Sequence, residues 1–320
     1  MISFINKSPS LQDDYHRFLP ILRISIACFC LLQCWYWSKN MYDLFGDEGW
    51  IQWEISKAAV TTWSIHLADF YQIVAHLGLD KQEAVVLFFC TYIVMATSVL
   101  VGLFTRMSTV LLWLLHCMIL NTLSDFIYGV DIFLHIALFY LIIFPVNRYY
   151  SIDNLIFKNR KIVISNKVYN KILQVHLCII YFSSGIEKAM HADWWNGNSV
   201  WYTLNHADFT TIQVAHILLG YPYLLQLLGI GTLVIELFYA VVMWIPRWRS
   251  IMLVLVISMH VYIGIALGLG VFSLMMILLS VTAWFSDCLN DHKALPFIEY
   301  STKGAGTGRI ADAVQRRALV

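Results

Sequence analysis

The sequence predicts an all-α, polytopic integral membrane protein: a bundle of about eight transmembrane helices with amphipathic helices on its outer face. Three observations lead there. Hydrophobic residues make up 59% of the 320 residues and charged residues only 13%, against roughly 25% charged in a soluble domain. The apolar residues come in long unbroken runs, the pattern of helices that cross a hydrocarbon core of roughly 30 Å. A membrane β-barrel would show alternating segments of about ten residues instead. Finally, the lysines and arginines sort to one set of connecting loops, as the positive-inside rule demands of a multi-pass chain.

Residues 1–17 are polar and carry Lys7, Asp13, Asp14 and Arg17. They lack the short apolar core and small-residue cleavage site of a signal peptide, so a cytoplasmic N-terminal segment is expected. The first span covers about 19–37. Pro20 suits a first helical turn, Arg23 can snorkel to the interface, and Trp35-Tyr36-Trp37 forms an aromatic belt. In the long polar section 38–83, Gly46 and Gly49 mark a turn. Beyond it, apolar residues interleave with His66, Asp69, Gln72 and His76, as in short helices lying on the membrane surface.

Further spans are expected at about 84–104, 109–123, 130–145, 172–186 and 223–245. The turns between them include Gly-Leu-Phe-Thr-Arg106, and the 147–171 loop is the most basic in the chain. Residues 251–285 are apolar throughout. One helix of that length would measure about 52 Å, too long for a single crossing. Gly264, Gly268 and Gly270 therefore predict two spans joined by a tight turn. The membrane domain ends near residue 286, and 287–320 reads as a polar, basic cytoplasmic tail. With both termini cytoplasmic, only Lys39, Lys57, Lys81 and Lys188 fall outside, and every other lysine and arginine lies inside. The expected location is the cell inner (plasma) membrane, with membrane lipids as surroundings.

Six of the seven cysteines lie inside apolar runs, where they act as small apolar fillers. Gly304-Ala-Gly-Thr-Gly308 follows no strand and carries no nucleotide signal. Two outer segments echo each other, His66-Leu-Ala-Asp69 to His76 and His206-Ala-Asp208 to His216. Their spacing matches no zinc pattern, so no metal is expected, nor is nucleic acid a partner.

The polar residues in and beside the spans are the candidate site. Lys188 ends an apolar helix beside Trp194 and Trp195. It is either a snorkelling anchor at an aromatic belt or a base in an apolar setting. Glu236 lies within a span, where carboxylates line cavities or meet partners, or join helices by a hydrogen bond. Asp131 and His135 share a helical face, either lining an outward cavity or pairing with each other. His116 and His176 read as packing residues, and His260 is similar from the residues alone.

Several motifs occur in a telling order: the Arg-containing first span, Gly-Leu-Phe-Thr-Arg106, the turn with Asp131, Phe144-Pro145 then Tyr150-Ser-Ile-Asp153, Ile180-Tyr-Phe-Ser-Ser-Gly-Ile-Glu-Lys188, Asp193-Trp194 then Gly197, and a late His260. In this order they resemble the HTTM family over roughly residues 15–285. That family includes the membrane part of vitamin K-dependent γ-glutamyl carboxylase and the B protein of a bacterial sporulation-delaying toxin system. The resemblance implies that Lys188 is a base for a reduced quinone of the menaquinone or vitamin K type, with His260 nearby. It implies a quinol-linked proton-transfer or oxidation enzyme acting at an outward-facing pocket on an exported peptide or other substrate. The pocket residues would be Asp131, His135, Glu236, Trp194 and Trp195. The alternative is a non-catalytic maturation or export factor for a secreted, antimicrobial-type peptide, working with a companion protein. The chain has no room for the carboxylase's large lumenal domain, so glutamate carboxylation itself is not transferred. The expected geometry brings His260 and the Asp131/His135 end to the depth of Lys188, with Glu236 deeper.

Overall fold

The computed structural model describes residues 17–157, 165–205 and 218–294. The expected N-terminal segment before Arg17, part of the basic loop, the His206–His216 echo and the tail beyond 294 lie outside the described residues.

Every regular element among the described residues is helical. In chain order they are α1 Phe18–Trp37, α2 Met41–Phe45, α3 Trp53–Ala59, α4 Leu67–Val74, α5 Lys81–Val101, α6 Thr105–Thr122, α7 Gly129–Ile143, α8 Ile152–Phe157, α9 Asn166–Ala189, α10 Ala192–Trp195, α11 Asn198–Asn205, α12 Pro222–Val242, α13 Pro246–Ala266 and α14 Gly270–Ala294. The long ones stand where the sequence places spans. Among the described residues, five segments can cross a membrane by length and composition: Phe18–Phe45, Lys81–Val101, Pro222–Val242, Pro246–Ala266 and Gly270–Asp291. Gly129–Ile143 is apolar but shorter. The remaining long helices, α6 and α9, carry more polar residues; α9 buries Asn166, Asn170 and Gln174.

The chain's own signals set the helix ends. Asp80 accepts from the Glu83 N–H while Glu83 accepts from the Asp80 N–H, closing a capping box at α5. Gly102, at φ 74°, ends that helix in the left-handed conformation. Pro222 and Pro246 open α12 and α13. The 251–285 run breaks as expected, with Gly268 at φ 70° between α13 and α14.

Packing divides the helices into two halves. α1, α5, α6 and α7 form one; α9, α12, α13 and α14 form the other; α14 touches α1, α7 and α9 and joins them. The seven cysteines are all free thiols, and most are buried or half-buried in this packing.

Arg23 does not snorkel. It is fully buried and donates to the carbonyls of Val146 at 2.9 Å and Tyr150 at 2.5 Å. Nearby, the Asp153 carboxylate accepts from the N–H of Phe104 and Thr105 at 2.7 and 2.8 Å and from the Thr105 hydroxyl at 2.7 Å. A Cβ on Gly102 would strike Ser151 and the Arg23 guanidinium. The Gly-Leu-Phe-Thr-Arg106 and Tyr-Ser-Ile-Asp153 motifs are thus two sides of one lock. It gives carbonyl partners to the Arg23 terminal nitrogens and an acceptor to the open amides at the start of α6.

At the opposite end of the first half, α3 and α4 pack onto α5 and α6. His66 is fully buried there and caps α4. Its Nδ1 accepts from the Ala68 N–H at 3.0 Å, and its backbone N–H donates to Asp69 at 2.9 Å. Burial lowers the His66 pKa below the ordinary histidine value; Asp69 opposes the shift and Lys57 adds to it. A histidine that is more acidic when folded stabilises the protein fully above its unfolded pKa of about 6.5 and loses that contribution as pH falls through the folded value. Thermal unfolding followed from pH 7.5 to 5 should show this loss. His66→Asn retains a capping acceptor and does not titrate, so its melting temperature should fall less over the same range. Equal slopes for the two proteins would exclude His66 as the source.

Candidate functional site

The helical face built from Tyr181, Ser184, Gly185 and Lys188 carries the site. These positions recur at three- and four-residue spacing, so they line one stripe of α9. Gly185 lets that stripe meet α12 closely. A Cβ there would lie 3.0 Å from the Leu237 backbone nitrogen and 3.1 Å from the Glu236 Cβ. The close approach brings two charged side chains together. Lys188 Nζ donates to both carboxylate oxygens of Glu236, at 3.0 and 2.8 Å, and to the Ser184 hydroxyl. Trp194 covers the amine, with its ring centroid 5.4 Å from Nζ, a cation–π distance.

The depth of this pair differs from the expectation. Glu236 lies about 21 Å of helix rise beyond Pro222, in a helix long and apolar enough to cross a membrane. Glu236 is therefore deep, and Lys188 is with it rather than above it. The cause is the length of α9, which stops alongside the middle of α12. α10 and α11 then fold against the remainder of α12. Two glycines make this possible: Gly197, at φ 83° beside the Gln226 backbone, and Gly229 beneath the Trp194 carbonyl. The Lys188 side chain, 22% exposed, turns inward to a carboxylate that is 8% exposed.

His260 belongs to the same half. Its Nε2 lies 2.8 Å from the Tyr181 hydroxyl, which also meets the Ser280 hydroxyl at 3.3 Å. The Tyr181 ring packs tilted against Tyr239, centroids 4.1 Å apart, and the Trp284 indole N–H donates to the Tyr239 hydroxyl at 2.8 Å. His260 Nδ1 is buried without a protein hydrogen-bond partner. Lys188 and His260 are thus joined through one face of α9, two turns apart. Tyr181 and Ser184 make that connection; their spacing before Lys188 was the available signal. Ser280 and Trp284 come from a distant helix and left no local trace.

Asp131 and His135 lie in the other half and do not bond to each other. One Asp131 oxygen accepts from the Tyr128 N–H at 3.2 Å and the other from the Gln33 amide. His116 Nε2 donates to the Asp131 carbonyl at 3.2 Å, which leaves Nδ1 to accept from the Tyr92 hydroxyl at 3.3 Å. The His135 ring stacks on Trp113 at 4.8 Å and meets Cys117 Sγ at 3.6 Å. Asp131 also borders a cavity of about 380 Å³, and Lys188 does not line it. Trp195 is half exposed and donates its indole N–H to the Ala189 carbonyl at 2.9 Å.

Ser56, His66 and Asp69 imitate a nucleophilic triad by residue type alone. His66 Nδ1 accepts from a backbone N–H, so the neutral ring bears its proton on Nε2, which faces Ser56 Oγ at 2.9 Å. Such a ring donates to the serine instead of taking its proton, and Asp69 bonds to Lys57 and the His66 backbone N–H. No activated nucleophile results.

A buried ion pair resists the loss of one partner more than the loss of both, because the survivor is left uncompensated. Glu236→Ala should therefore cost about 3–5 kcal/mol, and adding Lys188→Met should recover part of that loss. A thermal-stability double-mutant cycle in lipid nanodiscs measures the coupling. Simple additivity would mean that the two residues do not interact.

The HTTM domain family matches residues 49–287, a range that contains the Lys188 stripe, Glu236, His260 and the Asp131 turn. Comparison with curated proteins and with solved structures found no match. On the strength of the family match, the chain belongs to the HTTM domain family.

Proposed function

We propose that this membrane protein is a proton-transfer enzyme in which Lys188 takes a proton from a lipid-soluble quinol. The single observation that carries the reading is the placement of Lys188. It is an amine held deep beside an apolar helix, bonded to Glu236 and Ser184 and covered by Trp194. The Lys188–Glu236 pair can hold its proton as ammonium and carboxylate or as amine and carboxylic acid. The amine form is a base, and Glu236 is the group that can store the proton it gives up. His260, on its hydrogen bond to Tyr181, supplies a second proton-carrying group on the same face. A menaquinone- or vitamin K-like quinol suits such a site because its hydroxyl is acidic enough to yield a proton and its tail is soluble in lipid. The substrate modified downstream would be an exported peptide reaching the pocket from outside.

One observation favours a second reading, a non-catalytic maturation or export factor. All three hydrogen-bonding directions of Lys188 are used within the protein, by two carboxylate oxygens and a hydroxyl. A pair so fully satisfied also serves simply to join α9 to α12.

The two readings differ in one assay. Purified protein in nanodiscs is supplied with reduced menaquinone analogue and oxygen, and quinol consumption is followed. Lys188→Met should lower the rate about 10²–10⁴-fold, the range for loss of a general base, while Lys188→Arg keeps the charge and folding but not the activity. Consumption by Lys188→Met equal to that of the unmodified protein would remove the enzyme reading and leave the factor.

A further inference from the structure

The cavity beside Asp131 is separate from the Lys188 stripe and has a chemistry of its own. It lies where the ends of α1 and α6, the start of α7 and the α13–α14 turn converge. Its wall is mostly apolar and aromatic, including Trp35, Tyr36, Phe126 and Tyr128. Two polar side chains break that wall, Gln33 and Asp131, which are 4% and 7% exposed.

Their hydrogen bonds are one-sided. The Gln33 amide nitrogen donates to one Asp131 oxygen, and the Tyr128 N–H donates to the other. Gln33 Oε1 is buried and has no protein partner. A buried acceptor left unpaired is costly, and carbonyl and carboxylate oxygens both call for donors. Asp131 sits in the first turn of α7, where the helix dipole favours a negative charge. Among the described residues no lysine or arginine forms an ion pair with it. The aromatic faces around it attract a cation.

We propose that this cavity binds an ammonium group carried on an apolar, aromatic-sized body. The nitrogen would lie against the Asp131 carboxylate, with the apolar part among the indole and phenol rings. Gln33 lies outside the range of the family match, which begins at residue 49. The cavity does not include Lys188, so the proposal does not depend on the quinol reading.

The test uses the full chain in phosphatidylcholine nanodiscs at pH 7.5 and titration calorimetry, with empty nanodiscs to subtract lipid partition. Three probes share one phenyl body: phenethylamine, 2-phenylethanol and 3-phenylpropanoate. Phenethylamine should bind saturably and at least tenfold tighter than 2-phenylethanol, and 3-phenylpropanoate should not bind. Asp131→Asn keeps the shape and the Tyr128 cap and should weaken phenethylamine at least tenfold. Leu120→Trp fills the cavity without touching the polar pair and should abolish binding, so the test survives a poorly folded Asp131 variant. Absence of saturable phenethylamine binding overturns the proposal. So does equal affinity for the alcohol, or undiminished binding to both variants.

Discussion

The site depends on the contact between α9 and α12 at Gly185. An amine and a carboxylate deep in an apolar bundle each carry a desolvation cost that only close, well-bonded pairing offsets. Pairing at 2.8–3.0 Å requires the two helices to approach closely. A Cβ at that position would crowd the Leu237 backbone, and glycine lets the helices meet without a shift. The glycine, the lysine and the serine one turn before it are therefore a single device. The short run of residues that reads as a motif is the part of α9 that must be small, polar and basic in that order.

The rest of the bundle holds this device at depth. Ending α9 alongside the middle of α12 leaves α10 and α11 to cover the remainder, with Trp194 carried over the amine. On the other side, Tyr181, Tyr239, Trp284, Ser280 and His260 form a group joined by hydrogen bonds and ring contacts that links α9, α12, α13 and α14. The Arg23 and Asp153 lock does comparable work in the first half. It ties α1 and the start of α6 to the segment after α7.

Much of this was legible from residue order. Helix positions followed from apolar runs, and the α13–α14 break followed from its glycines. Glu236 stood out as a carboxylate within a span, while Lys188 and His260 entered as site residues through the HTTM resemblance. Other readings missed because they depended on distance. Arg23 looked like a snorkelling residue, since nothing local announces that the carbonyls of Val146 and Tyr150 will surround it. Of the two readings of Asp131 and His135, pairing with each other fails, while Asp131 does border a cavity. Their shared helical face is real, but Gln33 and the Tyr128 N–H engage the carboxylate while Trp113 and Cys117 engage the imidazole.

The sequence by itself determined the class, the helices, the basic and acidic ends and the residue types of the site. Each of these is set by composition or by contacts within a few residues along one helix. Only the tertiary structure decided that Lys188 meets Glu236 at the same depth, that Tyr181 connects His260 to the same face, and that Asp131 and Gln33 border a separate cavity. Those facts rest on how far one helix extends past another. That offset comes from side chains meeting across the bundle, which no single stretch of sequence contains.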